Sequence, residues 1–495
     1  MARINTNVSS LIAQRILGQQ NQSLQSSLER LSTGLRINRG KDDPAGLIAS
    51  ENLRAEKAAI SAAIDNAERA DQVINVAEGG LVEVSNLLTE VESLVDQTAN
   101  DAGLSAEEKK ANQLQIDSIL QTIDRISNST NFQGQKLLNG DFDYTLSTPA
   151  TFSDDISDVK VNVANVPDNG KIELNAEVTQ SAQTAVVALS GTGGNLDFAA
   201  GGQNTATIEI ATADGVQEFT FVSGAALTSV RDAINQFSDV LGASASLSGA
   251  DILNIDSTGF GDDQFVSVTV VDGDGELAIA AEPAGGGLGA TSIGTTTTDR
   301  GQDIGLTING TQANTEGLNA RVATGNLDVE LTINAENSFN NVAQSVLFGV
   351  TGGGAKFQIS PEINLAGRVS LGLGSVSSAN IGNGTDSLAL LKTGANANVV
   401  DGDLQKAQDI VRGAIKEVAT LRGRLGAFQK NTVGAQIRSL GVALENTASA
   451  ESQIRDADFA EETSKLTRAQ VLQSAAQNVL GLANSQPQSV LQLLG

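Results

Sequence analysis

The sequence predicts a multidomain α + β protein in which helical ends flank an inserted β-rich middle. Three observations carry this prediction. Apolar residues recur in steps of three and four through both ends, as one face of a helix requires. Glycine and β-branched residues crowd the middle, as strands and turns require. Acid is also confined: residues 141–400 hold 8 Lys+Arg against 30 Asp+Glu, whereas 1–140 hold 13 against 18 and 401–495 hold 10 against 10. At 495 residues and 40% hydrophobic content the chain is long for one domain and can fill several cores.

Taken in order, Ile4, Val8, Leu11 and Ile12 form one apolar stripe, and Leu17, Leu24, Leu28, Leu31 and Leu35 form a second. Ala67, Ala70, Ile74, Ala77, Leu81, Val84, Leu88, Val91, Val95 and Thr98 then keep a heptad rhythm, which predicts a helix over 56–99. Gly79 and Gly80 lie off that seam, so they weaken the helix without interrupting it. Ser105 and Glu108 read as a capping box for the stripe Ile116, Ile119, Ile123 and Ile126. In the middle, 206–222 reads as a hairpin turning at Asp214-Gly215, a type I′ signal. Leu227, Val230, Ile234, Phe237 and Leu241 predict a short helix over 227–240. Strands are expected at 252–256 and 265–271, and a second β unit over 304–334, with 304–309 and 329–333 as its surest strands. The Gly-rich stretches 285–289 and 352–354 read as linkers.

Near the other end Leu404, Ala407, Val411, Ala414, Val418, Leu421, Leu425 and Phe428 repeat the heptad. The chain closes on Leu472, Ala476, Val479 and Ala483, with Leu480 beside them, and then on Val490, Leu491, Leu493 and Leu494. The three interior helical stripes, near 67–98, 116–126 and 404–428, satisfy one another as an antiparallel bundle. The terminal stripes are more than two thin helices can cover. They are expected to pair and also to pack against neighbouring copies of the chain.

Composition excludes most chemistry. Without cysteine or histidine there is no thiolate nucleophile, no Ser-His-Asp triad and no zinc site built on those ligands. No G-x-x-x-x-G-K-[ST] sequence occurs, and no paired carboxylates stand out. Asp272, Asp274 and Glu276 make only part of a calcium loop and read as a hairpin turn. The N-x-[ST] matches at Asn128 and Asn309 are of a kind common by chance. A net charge of −27 argues against nucleic acid and against an anionic membrane surface. Residues 1–17 lack the apolar core that a secretory signal needs, and no apolar run is long enough to span a membrane. The expectation is a protein with no catalytic residue, no metal and no cofactor.

The ends carry specific motifs. Residues 5–17 read NTNVSSLIAQRIL and 31–46 read LSTGLRINRGKDDPAG; later, 421–431 read LRGRLGAFQKN, 450–463 read AESQIRDADFAEET and 483–494 read ANSQPQSVLQLL. The chain resembles the bacterial flagellins over roughly 1–145 and 355–495, with the motifs in family order. Residues 130–140, TNFQGQKLLNG, and 357–382 resemble the family's β-hairpin and returning segment, and 219–271 resembles a small β-rich insert.

The resemblance implies a core domain of 1–44 with 450–495, in which terminal helices pair like a coiled coil. It also implies a helical-bundle rod of 45–145 with 355–449. Residues 146–354 form an outer region with subdomains at about 185–285 and 300–345. Filament-core assembly falls to Ile4, Val8, Leu11, Ile12, Leu24, Leu28, Leu31, Leu35, Leu472, Val479, Leu480, Val490, Leu491 and Leu494. The link from core to rod falls to Asn38, Asp42, Asp43 and Pro44, where Pro44 suits a change of direction. The rod seam falls to Ile74, Leu81, Val84, Leu88, Val91, Val411, Val418, Leu421 and Leu425.

By resemblance the partners are further copies of the chain, the flagellar type III export apparatus, a flagellin chaperone, the filament cap and hook-associated junction proteins. The location is the extracellular flagellar filament, reached without a cleaved signal peptide. Glu90 and Glu92 stand where flagellins sensed by an innate immune receptor carry arginines, and Gln115 stands where they carry a carboxylate, so recognition through that site is not expected. The alternatives are a hook–filament junction protein of the same family and a secreted surface adhesin.

Overall fold

The computed structural model describes residues 6–100, 103–149, 155–167, 170–191, 193–196, 205–272, 278–281, 296–334, 344–384 and 386–494. Among them the α-helices are α1 (Val8–Thr33), α2 (Pro44–Thr98), α3 (Ala106–Ser129), α4 (Leu227–Asn235), α5 (Ser238–Leu241), α6 (Leu404–Ala427), α7 (Gly434–Arg455) and α8 (Phe459–Leu494). The chain divides into two compact units. The first is Met1–Gln72, Phe357–Arg368 and Gly426–Gly495; the second is Val73–Lys356 and Val369–Leu425.

In the first unit, the opening half of α2 packs antiparallel on α7. Ile60, Ala63 and Leu440 are buried between them. Lys57 pairs with Glu451 at 2.6 Å, and Arg455 with Glu51 at 2.9 Å, so positions descend on one helix as they rise on the other. α2 begins at Pro44, well before the expected residue 56. Proline is pre-organised for a first helical position, and Asp43 caps it by accepting the Gly46 N–H at 2.9 Å. Gly46 is fixed by space: a Cβ there would lie 2.3 Å from the Asp43 carboxylate and 2.8 Å from Ile37.

Between α6 and α7 the helix widens into a π turn, Phe428–Val433. Buried positions run Ala407, Val411, Ala414, Val418, Leu421 and Leu425 before the turn and Val433, Leu440 and Thr447 after it. An unbroken heptad would have placed the later ones at 432, 439 and 446. The π turn absorbs one extra residue and restarts the rhythm one position late. The expected stripe therefore leaves its rhythm at Phe428, whose ring packs at 6.4 Å from that of Phe357.

In the second unit, the rest of α2 joins α3 and α6 in a bundle. Every residue of the α2 stripe from Ile74 to Thr98 is at most 2% exposed. Arg412–Glu92 at 3.2 Å, Arg422–Glu78 at 3.7 Å and Gln408–Asp96 at 2.9 Å set α6 antiparallel to α2. The Ser105–Glu108 capping box opens α3. The side chain of Gln113 fastens α3 to the returning segment, donating to the Leu391 carbonyl at 2.8 Å and accepting the Val399 N–H at 2.9 Å. Asn131–Phe132 and Gln135–Lys136 form a hairpin whose turn residues Gln133 and Gly134 both have positive φ.

The inserted β structure has two cores of antiparallel strands. One joins residues 144–182 to 304–350. Its five-stranded sheet runs Thr311–Gln312, Gly305–Ile308, Ile172–Gln180, Ser345–Gly353, Tyr144–Ser147, and it faces a four-stranded sheet built on Leu327–Ile333 and Ile156–Ala164. The other core lies within 185–268, where α4 packs on the strands Ala243–Leu247 and Ile252–Ser257, and Val186–Ser190 and Thr205–Thr212 add buried residues to the same core. The chain passes from one core to the other and back at a single bridge. Gln183 and Gln302 each donate a backbone N–H to the other's carbonyl at 2.9 Å. The β unit expected over 304–334 thus takes half its core from upstream residues, which close on it after the intervening module.

Several local expectations are corrected. The helix over 227–240 breaks at Gln236, because Phe237 turns aside to meet Phe219 edge-on at 5.6 Å. The 206–222 hairpin forms, but neither Asp214 nor Gly215 has positive φ, so its turn is not type I′. Instead the Thr212 hydroxyl accepts the N–H groups of Asp214 and Gly215, and a Cβ on Gly215 would meet the Val240 carbonyl at 2.7 Å. Two-residue turns with both φ positive stand instead at Gln133-Gly134 and at Asn309-Gly310, the latter with φ of 51° and 76°. Residues 352–354 are not a linker: Gly352 and Gly353 end a strand, and Gly354 lies against the ring of Tyr144. Residues 273–277 and 285–289 lie outside the described residues.

Candidate assembly surface

The two terminal helices of the first unit run antiparallel. The Asn7 side-chain amide donates to the Ala483 carbonyl at 2.7 Å, Ser10 donates to Asn484 at 2.7 Å, and Gln473 donates to Asn21 at 2.7 Å. Asn7 also caps α1, Gly34 ends it in the left-handed region, and Asp458 caps α8. Beyond the caps, Leu35 and Asp456 form a β-bridge, and the Ala457 N–H donates to the Gly34 carbonyl at 2.9 Å.

The seam between the helices has a heptad rhythm in which leucines alternate with small and polar residues. On α1 the inward positions are Ser10, Ala13, Leu17, Gln20, Leu24, Ser27 and Leu31; on α8 they are Glu462, Leu466, Ala469, Gln473, Ala476, Leu480 and Ala483. Glu462 is only 4% exposed, and it is paired with Arg30 at 3.5 Å and Lys465 at 3.2 Å. The aliphatic bulk points the other way. Val8, Leu11, Ile12, Ile16 and Leu28 on α1 are 40–57% exposed, and Phe459, Val471, Leu472, Val479 and Leu482 on α8 are 44–69% exposed. Small residues on the shared face let the helices approach while the larger side chains remain uncovered.

The expected assembly residues therefore fall into two sets. Leu24, Leu31 and Leu480 are half-buried on the inner seam, and Leu35 is half-buried at the bridge. Val8, Leu11, Ile12, Leu28, Leu472 and Val479 are exposed on the outer faces. Ile4 lies outside the described residues; Val490, Leu491 and Leu494 lie on α8, but their side chains are outside the description. The stripe Leu17–Leu24–Leu28–Leu31 is not one face, since Leu28 turns away from its neighbours. The signal that finds the inner seam is the smaller set, Ser10, Ala13 and Ser27 against Ala469, Ala476 and Ala483, which a search for large hydrophobes passes over.

The linker residues form a tight turn. Asp42 accepts the backbone N–H groups of Asn38 at 3.2 Å and Arg39 at 2.9 Å, and the Arg39 bond is the main reason its carboxyl is held below the usual range. Asn38 donates to the Leu35 carbonyl at 3.0 Å. The rod-seam residues Ile74, Leu81, Val84, Leu88, Val91, Val411, Val418, Leu421 and Leu425 are all buried. Among the described residues no cluster of three or more acidic groups could hold a metal, and no helix is long and apolar enough to cross a membrane.

The ends thus pair with each other along one face and leave aliphatic side chains exposed on the other. Comparison with known proteins gives these ends a family. The bacterial flagellin N-terminal helical region matches residues 4–143, and the bacterial flagellin C-terminal helical region matches 408–494. The flagellins of Salmonella typhimurium and Salmonella rubislaw are 31% and 30% identical, each over 99% of both chains. Flagellin B of Helicobacter pylori is 26% identical over the same shares. The flagellar cap protein D1-D2-D3 domains from Escherichia coli align over 75% of this chain at 14% identity, with a TM-score of 0.28. The chain belongs to the bacterial flagellin family, and it is a structural subunit of the flagellar filament.

Proposed function

We propose that the first unit carries assembly and the second carries the filament's solvent-facing mass. The observation behind this is charge. The first unit holds 15 Lys+Arg and 15 Asp+Glu, and the second holds 16 against 43, so the whole net charge of −27 belongs to the second. Neutral surfaces can be stacked closely in a polymer. Acidic ones need water and salt between them, with repulsion screened over about 8 Å at physiological ionic strength. The outer faces at Val8, Leu11, Ile12, Leu28, Leu472 and Val479 then bury against neighbouring copies.

In this reading the protein is no enzyme and works outside the cell. Its other contacts are the export apparatus, a chaperone, the cap and the junction proteins. Glu90 is exposed and Glu92 is held by Arg412, which leaves the stretch 88–96 without the arginines that the immune receptor reads. The test is to replace residues 184–301 with a short Gly/Ser linker between Gln183 and Gln302. Subunits so trimmed should extend seeds of the parent into thinner filaments. Trimmed subunits that fold but do not extend seeds would show that the acidic module takes part in assembly, against the proposed division.

A further inference from the structure

Within the second unit a cavity of about 490 Å³ opens between α6, the strands Ile156–Ala164 and Leu327–Ile333, and the returning segment 372–384. Its lining carries four acidic and four basic side chains, so it is neutral as a whole inside a strongly acidic unit. Most of those charges satisfy one another. Lys160 pairs with Glu417 at 3.0 Å and with Asp158 at 3.6 Å, and Arg321 donates to both oxygens of Asp328, at 2.9 and 2.7 Å. Glu330 lies opposite both cations in the strand register, yet it forms an ion pair with neither. Arg424, on α6, is the second charge left over. Its Nε is buried without an acceptor, and its guanidinium forms no ion pair among the described residues. Arg30, Arg422 and Arg455 share the buried Nε, but each is paired with a glutamate. Burial pushes the Arg424 guanidinium below the usual arginine range, while Asp328 and Glu330 oppose that shift from a distance. Arginine keeps its proton even so, which leaves a partly buried charge in the cavity wall without a partner.

We propose that this cavity binds a free α-amino acid, with the ligand carboxylate on Arg424 and the ligand ammonium on Glu330. Charge selects that class. A plain anion would satisfy Arg424 but would enter a wall that already holds four carboxylates. A plain cation would satisfy Glu330 and leave Arg424 as it is. A molecule carrying both signs answers both groups at once and keeps the cavity neutral. The planar fork of arginine matches a carboxylate with two parallel hydrogen bonds. Space agrees, since small-molecule pockets run to about 300–1,000 Å³. Val376, Ile381 and Leu421 line the same cavity and offer an apolar surface to an aliphatic side chain.

Isothermal titration calorimetry of the full-length subunit with L-alanine, L-leucine, L-serine and L-glutamate tests the site. At least one should bind saturably, once per chain. Acetate and methylammonium, each bearing one of the two charges, should bind at least about 10-fold more weakly. Arg424→Gln should weaken the bound amino acid at least about 10-fold, as expected when a charge-assisted hydrogen bond is lost. Arg424→Lys, which keeps the charge without the fork, should recover part of that loss. Thermal unfolding supplies a second readout. The amino acid should raise the midpoint of the parent and leave that of Arg424→Gln unmoved. Because Arg424 has no ion pair to lose, the ligand-free variant should unfold no earlier than the parent. Saturation by none of the four amino acids up to about 10 mM would overturn the proposal. So would acetate binding as tightly as the amino acids, or an affinity indifferent to both Arg424→Gln and Glu330→Gln.

Discussion

Replacing Leu28 with alanine separates the outer face of α1 from its inner seam. Leu28 is 47% exposed, while its chain neighbour Ser27 points inward and donates to Glu462, so the substitution leaves the pairing with α8 intact. Full burial of a leucine contributes about 1.5–3 kcal/mol, and roughly half of that remains for a neighbouring copy to collect, about 1 kcal/mol. Removing that burial once per added subunit corresponds to a critical concentration raised about 5-fold, since roughly 1.4 kcal/mol is tenfold. Leu28→Asp also buries an unpaired carboxylate, which costs several kcal/mol more, and should stop growth from seeds. Sedimentation of polymer from serially diluted subunits gives the critical concentration, and circular dichroism of the free subunits checks the fold. Normal elongation by Leu28→Asp, or a critical concentration for Leu28→Ala within twofold of the parent, would refute the outward assignment.

Two further predictions concern the second unit. Gly79→Ala has no atom within 4 Å of its new Cβ and should stabilise the unit by about 0.5–1 kcal/mol through helix propensity; Gly80→Ala places its Cβ 2.8 Å from Leu138 and Thr130 and should destabilise it by about 1–3 kcal/mol. Urea midpoints of the two variants on opposite sides of the parent would bear this out, and a stabilised Gly80→Ala would contradict it. Tyr144, the only tyrosine, is pushed above the ordinary tyrosine range by burial, and its hydroxyl accepts the Ala164 N–H at 2.9 Å and donates to Ser370 at 3.0 Å. Because the folded pKa is the higher one, stability from this group is full below the unfolded value and is lost as pH rises through the folded value. Ultraviolet titration should show one late tyrosine ionisation, and Tyr144→Phe should remove that alkaline loss at a cost of about 1–2 kcal/mol at neutral pH; ionisation at the ordinary pH would count against it.

Much of this architecture is legible in residue spacing. The α2 stripe, the Ser105–Glu108 capping box and the 206–222 hairpin are open to counting, because each depends on neighbours within a few residues or on one long rhythm. Other features depend on groups far apart in the chain. Nothing near Phe237 announces that it leaves its helix for Phe219. Gly215 and Gly354 look like turn and linker residues, yet each is small because a distant group, Val240 or Tyr144, stands against it. The inner and outer faces of the terminal helices are hard to read for a related reason. A count of large hydrophobes merges two faces into one seam, whereas the pairing of the helices interleaves serine and alanine with leucines and leaves many of the larger side chains exposed. The π turn at Phe428–Val433 is invisible to any count that assumes a constant pitch.

The bridge between Gln183 and Gln302 has a practical side. Two residues that exchange both backbone hydrogen bonds stand about 5.5 Å apart at their Cα atoms. The 118 residues from 184 to 301 leave and rejoin the scaffold through that doorway. A foreign domain whose own termini lie a similar distance apart could be grafted there without stretching the sheets on either side. A polymer of such subunits would present its cargo once per protomer along its length, as an ordered array whose spacing is set by the filament lattice.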